Sequence, residues 1–382
     1  MSTRSRLLIL AALAFAIAAG CQKSSGQDTD TGTDGDADGD GDGDTDADTD
    51  GDADTDTSTW PASDCPEGFT CFADVVCDTN EDGWPDVDWT WLGVLGSLPG
   101  TSRHPDEFTI HDDGTATDDV TGFTWQRCSY PATDPAACGF PQMVAANLMT
   151  DICEGTYGPG WRVPTAAELA TLLDFAKNND TGTSPGTETE TFPYPSEMPT
   201  SMQYATSTWS PEAPENSAYV AYFESATSSL KTVFVQAWVR CILDWSEGEP
   251  GARFAVDPAV PDEVLDLRTG LTWMRCSAGQ EWDGASCAGE VLEGAFAEAE
   301  AGCTGEWRLP TVVEAASIVN RCSWEPTTDT AAFPMEVAHW MWTSTVRPHP
   351  EEDRRYVVSL YRGTIGDAEE SAGSGYNYRC LK

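Results

Sequence analysis

The nine residues Asp78-Thr79-Asn80-Glu81-Asp82-Gly83-Trp84-Pro85-Asp86 carry the strongest chemical signal in the chain. Asp78, Asn80, Asp82 and Asp86 place side-chain oxygens at positions 1, 3, 5 and 9 of a loop, with Gly83 at position 6 for the sharp turn. The backbone carbonyl of Trp84 would supply position 7. A hard cation that wants six or more oxygens suits this spacing, so Ca²⁺ is the expected cofactor, in a structural role. Position 12 is Trp89, where a bidentate carboxylate usually closes such a loop, and Asp88 stands beside it. The competing reading is an acidic turn in an acidic chain. No other spacing points to chemistry at a metal or nucleophile. His104, His111, His339 and His349 are scattered, and no HExxH, G-x-S-x-G or P-loop phrase occurs. An enzyme is therefore not expected.

The Asp78–Asp86 loop resembles the aspartate-rich loops of thrombospondin type 3 repeats and dockerins. A second site lies at the amino terminus. Arg4 and Arg6 precede the apolar run Leu7–Ala19, which is 13 residues long and too short to span a bilayer comfortably. It ends in Ala18-Ala19-Gly20-Cys21, which resembles a bacterial lipobox, with Ala18 where Leu is preferred. Residues 1–20 read as a signal peptide, and Cys21 as the lipid attachment that makes the bilayer a partner. Gln22 is not the Asp that commonly retains lipoproteins at an inner membrane, so outer-membrane or cell-surface display is expected. The cysteine count agrees: of 13 Cys, removing Cys21 leaves 12, an even set for an oxidising compartment.

Charge then bounds the partners. The formal net charge is −44, and 14 Asp with no Lys or Arg lie between Asp28 and Asp56. The part from Ser58 to Lys382 still holds 64 − 14 = 50 acids against 20 − 3 = 17 bases, or −33. Both parts repel polyanions, which argues against DNA, RNA or sulfated glycans as ligands. Residues 21–59 are Asp/Gly/Thr-rich with almost no apolar side chains, so they read as a disordered, self-repelling spacer. Their Asp-x-Asp-Gly phrases could also gather Ca²⁺ weakly. Residues 60–102 form a Cys-rich segment containing the calcium-type loop.

The elements that position these features come from an internal duplication. Thr121-Gly122-Phe123-Thr124-Trp125-Gln126-Arg127-Cys128 returns as Thr269-Gly270-Leu271-Thr272-Trp273-Met274-Arg275-Cys276. Trp161-Arg162-Val163-Pro164-Thr165 returns as Trp307-Arg308-Leu309-Pro310-Thr311, Phe192-Pro193 as Phe333-Pro334, Thr206-Ser207-Thr208 as Thr343-Ser344-Thr345, and Arg240-Cys241 as Arg379-Cys380. Two homologous domains follow, 103–243 and 253–382, joined by a linker at 244–252. In each, an Asp/Gly turn precedes a half-buried strand, and Thr165…Glu168 or Thr311…Glu314 forms a helix capping box. Leu169, Leu172 and Leu173, or Ala315, Ile318 and Val319, give the apolar face of a helix of roughly three turns. A strand-rich second half completes an α+β fold. Matched positions pair Cys128 with Cys241, Cys138 with Cys153, Cys276 with Cys380, and Cys287 with Cys303. Cys322 is then left to bridge to Cys65, Cys71 or Cys77, stapling the amino-terminal segment to the second domain.

The recurring Trp125, Trp273, Trp161 and Trp307 read as core, and Arg162 and Arg308 as makers of charge-assisted bonds within each domain. Trp209, Trp282, Trp324 and Trp340 do not recur; they fit either simple packing or loop stacking on a ligand such as a sugar. Trp209 and Trp340 are the ligand-binding candidates.

Together the blocks resemble the family named for the C-terminal domain of the Legionella collagen-like adhesin: an aspartate turn before T-G-L-x-W, then W-R-L-P-T-x-x-E-L, a W-T-S-T-like strand and a closing R-C. Val163 and Ala315 each stand where the pattern has Leu. The resemblance implies two tandem C-type-lectin-like domains at the cell surface, and a non-enzymatic adhesion module for a protein or neutral glycan. The namesake's affinity for sulfated glycans is not expected in so acidic a chain. The lectin tripeptides for sugar and calcium are missing, Pro214-Glu215-Asn216 being a near miss. W-R-L-P-T-x-x-E also resembles a segment of formylglycine-generating enzymes, but pairing within the repeats leaves no reactive thiol pair. The different-class alternative is a structural component of an envelope assembly.

Overall fold

The computed structural model describes residues 65–73, 101–132, 134, 138, 141–145, 152–177, 187, 189–193, 203–209, 217–223, 226–232, 236–243, 252–320, 325–334, 339–349 and 352–382. The first described strand, β1 (Thr70–Ala73), follows a turn at Pro66–Phe69 closed by a Cys65–Cys71 disulfide. Cys77 and Cys322 lie outside the described residues. With Cys65 and Cys71 joined, the expectation for a bridge to Cys322 narrows to Cys77.

The first repeat contributes β2 (Phe108–Ile110), β3 (Thr115–Asp118), β4 (Thr124–Gln126), β5 (Val144–Ala145), β6 (Trp161–Arg162), β7 (Gln203–Trp209), β8 (Ser217–Tyr222), β9 (Thr227–Thr232), β10 (Gln236–Ala237) and β11 (Ile242–Leu243). The second contributes β12 (Ala252–Val256), β13 (Glu263–Asp266), β14 (Thr272–Met274), β15 (Glu281–Trp282), β16 (Cys287–Ala288), β17 (Trp340–Arg347), β18 (Arg354–Ser359), β19 (Thr364–Glu369) and β20 (Tyr376–Asn377). The helices are short: α1 (Ile152–Tyr157), α2 (Ala166–Ala170), α3 (Phe296–Gly302) and α4 (Val312–Ser317). Mostly β with few helices, the chain has the α+β character expected from its sequence.

Sheet order repeats as the sequence does. The first repeat has a sheet β2-β3-β4-β11-β6 and a meander β7-β8-β9; the second has β1-β12-β13-β14 and β19-β18-β17-β20. Ile242 sits between Trp125 and Arg162, just as Leu381 bridges Trp273 and Arg308. Among the described residues each repeat also has a two-stranded sheet of its own, β5-β10 in the first and β15-β16 in the second, and the second gains β1, which pairs antiparallel with β12, Thr70 opposite Val256 and Phe72 opposite Phe254. The described part of the Cys-rich segment thus pairs with the second repeat; the bridge to Cys322 expected from the cysteine count lies outside the described residues.

Residues 55–382 belong to one compact unit. A single buried cluster runs through both repeats, including Trp125, Leu169, Leu172 and Leu173 from one and Trp273, Ala315, Ile318 and Val319 from the other. Contacts between repeats are reciprocal. The Tyr219 hydroxyl donates to the Arg362 carbonyl at 2.9 Å, while the equivalent Tyr356 meets Phe175 edge-on at 5.1 Å. The Ile365 N–H donates to Ser228 Oγ at 3.0 Å. Ser228 and Ile365 occupy equivalent strand positions, so the repeats meet about a pseudo-two-fold, as subunits do in an isologous dimer. Gly363 has φ +67°, and a Cβ there would lie 3.1 Å from the Tyr219 hydroxyl, so close approach and backbone conformation both favour glycine.

Three sequence expectations are corrected. The capped helices are shorter than three turns, because Thr171 and Ser317 hydroxyls bond back to the Glu168 and Glu314 carbonyls. The backbone then tightens into i→i−3 bonds, such as Leu172 to Leu169 and Val319 to Ala316. The disulfides are Cys128–Cys138, Cys153–Cys241, Cys276–Cys287 and Cys303–Cys380, not the pairs Cys128–Cys241, Cys138–Cys153, Cys276–Cys380 and Cys287–Cys303. Strand register is the reason: the Gln126 and Met274 N–H groups bond the Cys241 and Cys380 carbonyls. Each closing cysteine therefore lies opposite residue 126 or 274, two residues short of Cys128 or Cys276. Lastly, Trp161 and Trp307 are only half-buried, because their strand β6 and its counterpart lie at a sheet edge.

Candidate functional site

The most elaborate polar constellation in each repeat grows from the Trp-Arg-x-Pro-Thr phrase. Proline before the cap holds the chain extended, and Thr165 and Thr311 then cap α2 and α4 by accepting from the Glu168 and Glu314 N–H groups at 3.3 Å. The glutamates reach back: Glu168 Oε2 accepts from the Thr165 N–H at 2.7 Å, and Glu314 Oε2 from the Thr311 N–H at 2.7 Å. Arg162 grips Glu168 with two bonds of 2.8 and 2.6 Å, and Arg308 grips Glu314 with the same two distances. The helix start is also tied to the meander. Thr208 and Thr345 hydroxyls accept from the Ala166 and Val312 N–H groups at 2.8 and 2.9 Å. Ser207 and Ser344 N–H groups donate to the Pro164 and Pro310 carbonyls.

Burial tends to raise the Glu314 carboxyl, but bonds from Arg308 and Thr311 outweigh it, so the pKa is lowered. The same Glu314 bond raises Arg308 against its own burial. Both glutamates have both oxygens engaged in these bonds. They are built to hold a helix on a strand and are poorly placed to accept a substrate proton.

Beside the closing disulfide of each repeat sits a buried guanidinium that, among the described residues, has no carboxylate in salt-bridge contact. Arg240 donates to the Gln126 and Arg127 carbonyls at 2.9 and 2.6 Å and lies over the Phe192 ring, 4.8 Å from its centre. Arg379 donates to the Met274 and Arg275 carbonyls and lies over Phe333 at 5.3 Å. Burial pushes Arg379 down to about 9, which leaves it charged at neutral pH. A second buried cation, Arg103 or Arg253, meets the turn aspartate Asp118 (2.8 Å) or Asp266 (3.4 Å). Sequence reading missed both roles. Recurrence of Arg240 and Arg379 was visible, but a cation satisfied by carbonyls leaves no partner pattern in the sequence.

The ligand-candidate residues lie in different repeats and at non-equivalent places. Trp209 ends β7 and Trp340 begins β17, and by register the counterpart of Trp209 is Val346 and that of Trp340 is Gln203. Trp340 covers Gly366, where an added Cβ would lie 3.2 Å from its ring. It packs with Tyr376 in a secondary cluster. Trp282 is stacked under Arg275 at 3.6 Å, and its backbone N–H donates to Asp262 Oδ1 at 3.1 Å. The calcium-type loop (Asp78, Asn80, Asp82, Trp84, Asp86), Cys21 and Trp324 lie outside the described residues. Among the described residues no group of three or more His, Cys, Asp or Glu is placed to hold a metal ion, and no helix is long and apolar enough to cross a membrane.

The repeats diverge on the meander surface. In the second, Asp367 accepts from Arg347 at 2.5 Å and from Arg354 at 2.6 Å, and Arg355 pairs with Glu370 at 2.7 Å. The first repeat has Ser217, Ala218 and Leu230 at the places of Arg354, Arg355 and Asp367.

A family model described as the Lcl C-terminal domain matches residues 114–243 and, separately, 262–382. No curated protein and no solved structure matches the chain.

Proposed function

This chain belongs to the Lcl C-terminal domain family through both of its repeats, and from that membership we propose that it is a surface-displayed bacterial lipoprotein acting as a non-enzymatic binding module. Its partner is a protein or a neutral glycan. In this reading Cys21 carries the lipid, residues 22–59 hold the ectodomain off the outer membrane, and the two repeats are lectin-like domains presenting their loops. Ca²⁺ in the Asp78–Asp86 loop stiffens the junction.

The observation that carries the reading is how the recurring polar groups are used. Arg162 and Arg308 are bound to Glu168 and Glu314, Arg240 and Arg379 to carbonyls, and the eight repeat cysteines to one another. What the duplication preserves is thus a frame, and a frame serves a protein whose work is done by surfaces and loops. The same disulfides speak against a formylglycine-generating type of oxidase, which needs reactive thiols. The charge of −33 on Ser58–Lys382 speaks against a polyanionic ligand.

A glycan and surface-protein array probed with the 58–382 fragment tests this, the expected result being selective binding to a protein or neutral glycan. Silence on both arrays, together with a large native complex, would favour a structural component of an envelope assembly. The packing of one repeat on the other supports that second reading, since the meanders already meet each other within the chain.

A further inference from the structure

The two repeats differ at one sheet edge. In the second, β1 lies alongside β12, and Val256 opposite Thr70 is only 4% exposed. The strand equivalent to β12 in the first repeat is β2. Phe108 lies opposite Asp118 as Phe254 lies opposite Asp266, and each phenylalanine meets Phe192 or Phe333 edge-on at 5.2 or 4.9 Å. Ile110 therefore takes the place of Val256.

Backbone bonding shows which way the edge faces. The Asp119 N–H donates to the Glu107 carbonyl and the His111 N–H to the Thr115 carbonyl. Glu107, Thr109 and His111 thus bond inward to β3, and the alternation of an antiparallel ladder turns the Ile110 N–H and C=O outward. Among the described residues no strand pairs with this edge, and Ile110 is 48% exposed. An open edge beside an exposed isoleucine invites strand addition.

Charge selects the occupant. Asp106, Asp112, Asp113 and Asp119 flank β2 on exposed positions, while Arg103 is taken up by Glu107 at 3.0 Å and by the buried Asp118 at 2.8 Å. A second copy would bring the same acids against these. A basic segment would not, and β1 supplies a pattern four residues long: Thr70-Cys71-Phe72-Ala73.

We infer that the outer edge of β2 is a strand-acceptor site for an extended segment of a partner protein, apolar where it meets Ile110 and flanked by Lys or Arg. This rests on the protein-binding side of the function proposed above and gives that binding a place and a partner chemistry.

The test is hydrogen exchange at the Ile110 amide of the full chain, without and with a synthetic KKVVFAKK peptide, which copies β1 with its threonine and cysteine both replaced by Val and lysines added, so that Val meets Ile110 in the register of Thr70 opposite Val256. The amide is expected to exchange freely alone and to slow by about tenfold or more with the peptide. Ile110→Lys should weaken the peptide about tenfold or more through like-charge repulsion, with no change in Tm since the side chain is exposed. Ile110→Pro, which removes the outward N–H, should abolish it. Protection of Ile110 in the free chain would overturn the proposal, since the edge would already be covered. That cover is the chain itself if protection is independent of concentration, or a second copy if it rises with concentration. Equal protection by a scrambled peptide of the same composition would also overturn it, leaving only charge attraction. Array binding that survives Ile110→Lys sinks this site while leaving the surface-binding reading intact.

Discussion

The two repeats keep the same frame and differ in what touches it. Trp125 and Trp273 are both fully buried, Arg240 and Arg379 both rest on carbonyls over a phenylalanine, and the capping boxes agree to the tenth of an ångström at Thr165 and Thr311. The outer strands do not match. One repeat exposes Ile110 where the other buries Val256, and an Arg–Asp cluster around Asp367 stands where the first repeat has Ser217, Ala218 and Leu230. Duplication fixes the positions on which folding depends. Once each copy has a different neighbour, the outer surfaces are free to diverge.

The largest effects should come from the long disulfides. Cys153–Cys241 and Cys303–Cys380 span 88 and 77 residues, Cys128–Cys138 and Cys276–Cys287 only 10 and 11. In the chain-entropy picture, replacing either long pair by Ala costs about 4–5 kcal/mol and either short pair about 3 kcal/mol. Urea midpoints for the four double variants would check this; a short bridge costing more than a long one would break the equivalence.

Trp125→Ala and Trp273→Ala should each cost about 3–5 kcal/mol. Because one cluster joins the repeats, each variant is expected to unfold in a single transition. Two separated calorimetric peaks would show the copies folding independently.

The salt bridges sharpen the contrast. Glu168 is 0% and Arg162 12% exposed, against 10% and 50% for Glu314 and Arg308. Glu168→Gln leaves a guanidinium almost buried without its charge partner, at a cost of about 3 kcal/mol, whereas solvent around Arg308 should hold the loss for Glu314→Gln to about 1 kcal/mol. Glu314 also carries a pH signature. Its folded pKa lies below the unfolded value, so the bond contributes fully above the unfolded pKa and is lost as pH falls through the folded one. Glu314→Gln should flatten the acid limb of the stability curve below about pH 4.5, read by thermal melts across pH. The smallest effect is expected at the pseudo-two-fold. Tyr219→Phe removes the bond to the Arg362 carbonyl and should cost about 1 kcal/mol in chemical denaturation.

Much of the frame was legible because its signals are local. Thr165 and Glu168 lie three residues apart, and the caps formed as read; Leu169, Leu172 and Leu173 are buried as their spacing required. The disulfides were not legible in the same way. Matching Cys128 to Cys276 says which cysteines correspond, but pairing depends on strand register, and that is set by hydrogen bonds between distant segments such as Gln126 and Cys241. Trp161 and Trp307 recur as faithfully as Trp125 and Trp273, yet they sit at a sheet edge, which recurrence alone does not reveal. The leftover Cys322 pointed the amino-terminal segment toward the second repeat. The contact seen, β1 on β12, is too short at four residues to show a strand period. Ile110 gave no sign at all, because its meaning comes from the edge it stands on.

That same pairing sets a schedule for the chain during its synthesis. Between Ala73 at the end of β1 and Ala252 at the start of β12 lie 178 residues, the whole first repeat among them. At roughly 5–20 residues per second, β1 waits on the order of 10–40 s before its partner strand exists. For that interval the first repeat can close its own bridges while β1 remains a loose end, and a sheet of the second repeat is completed by residues made near the beginning. A truncated chain that stops before Ala252 would leave that loose end unmatched for good.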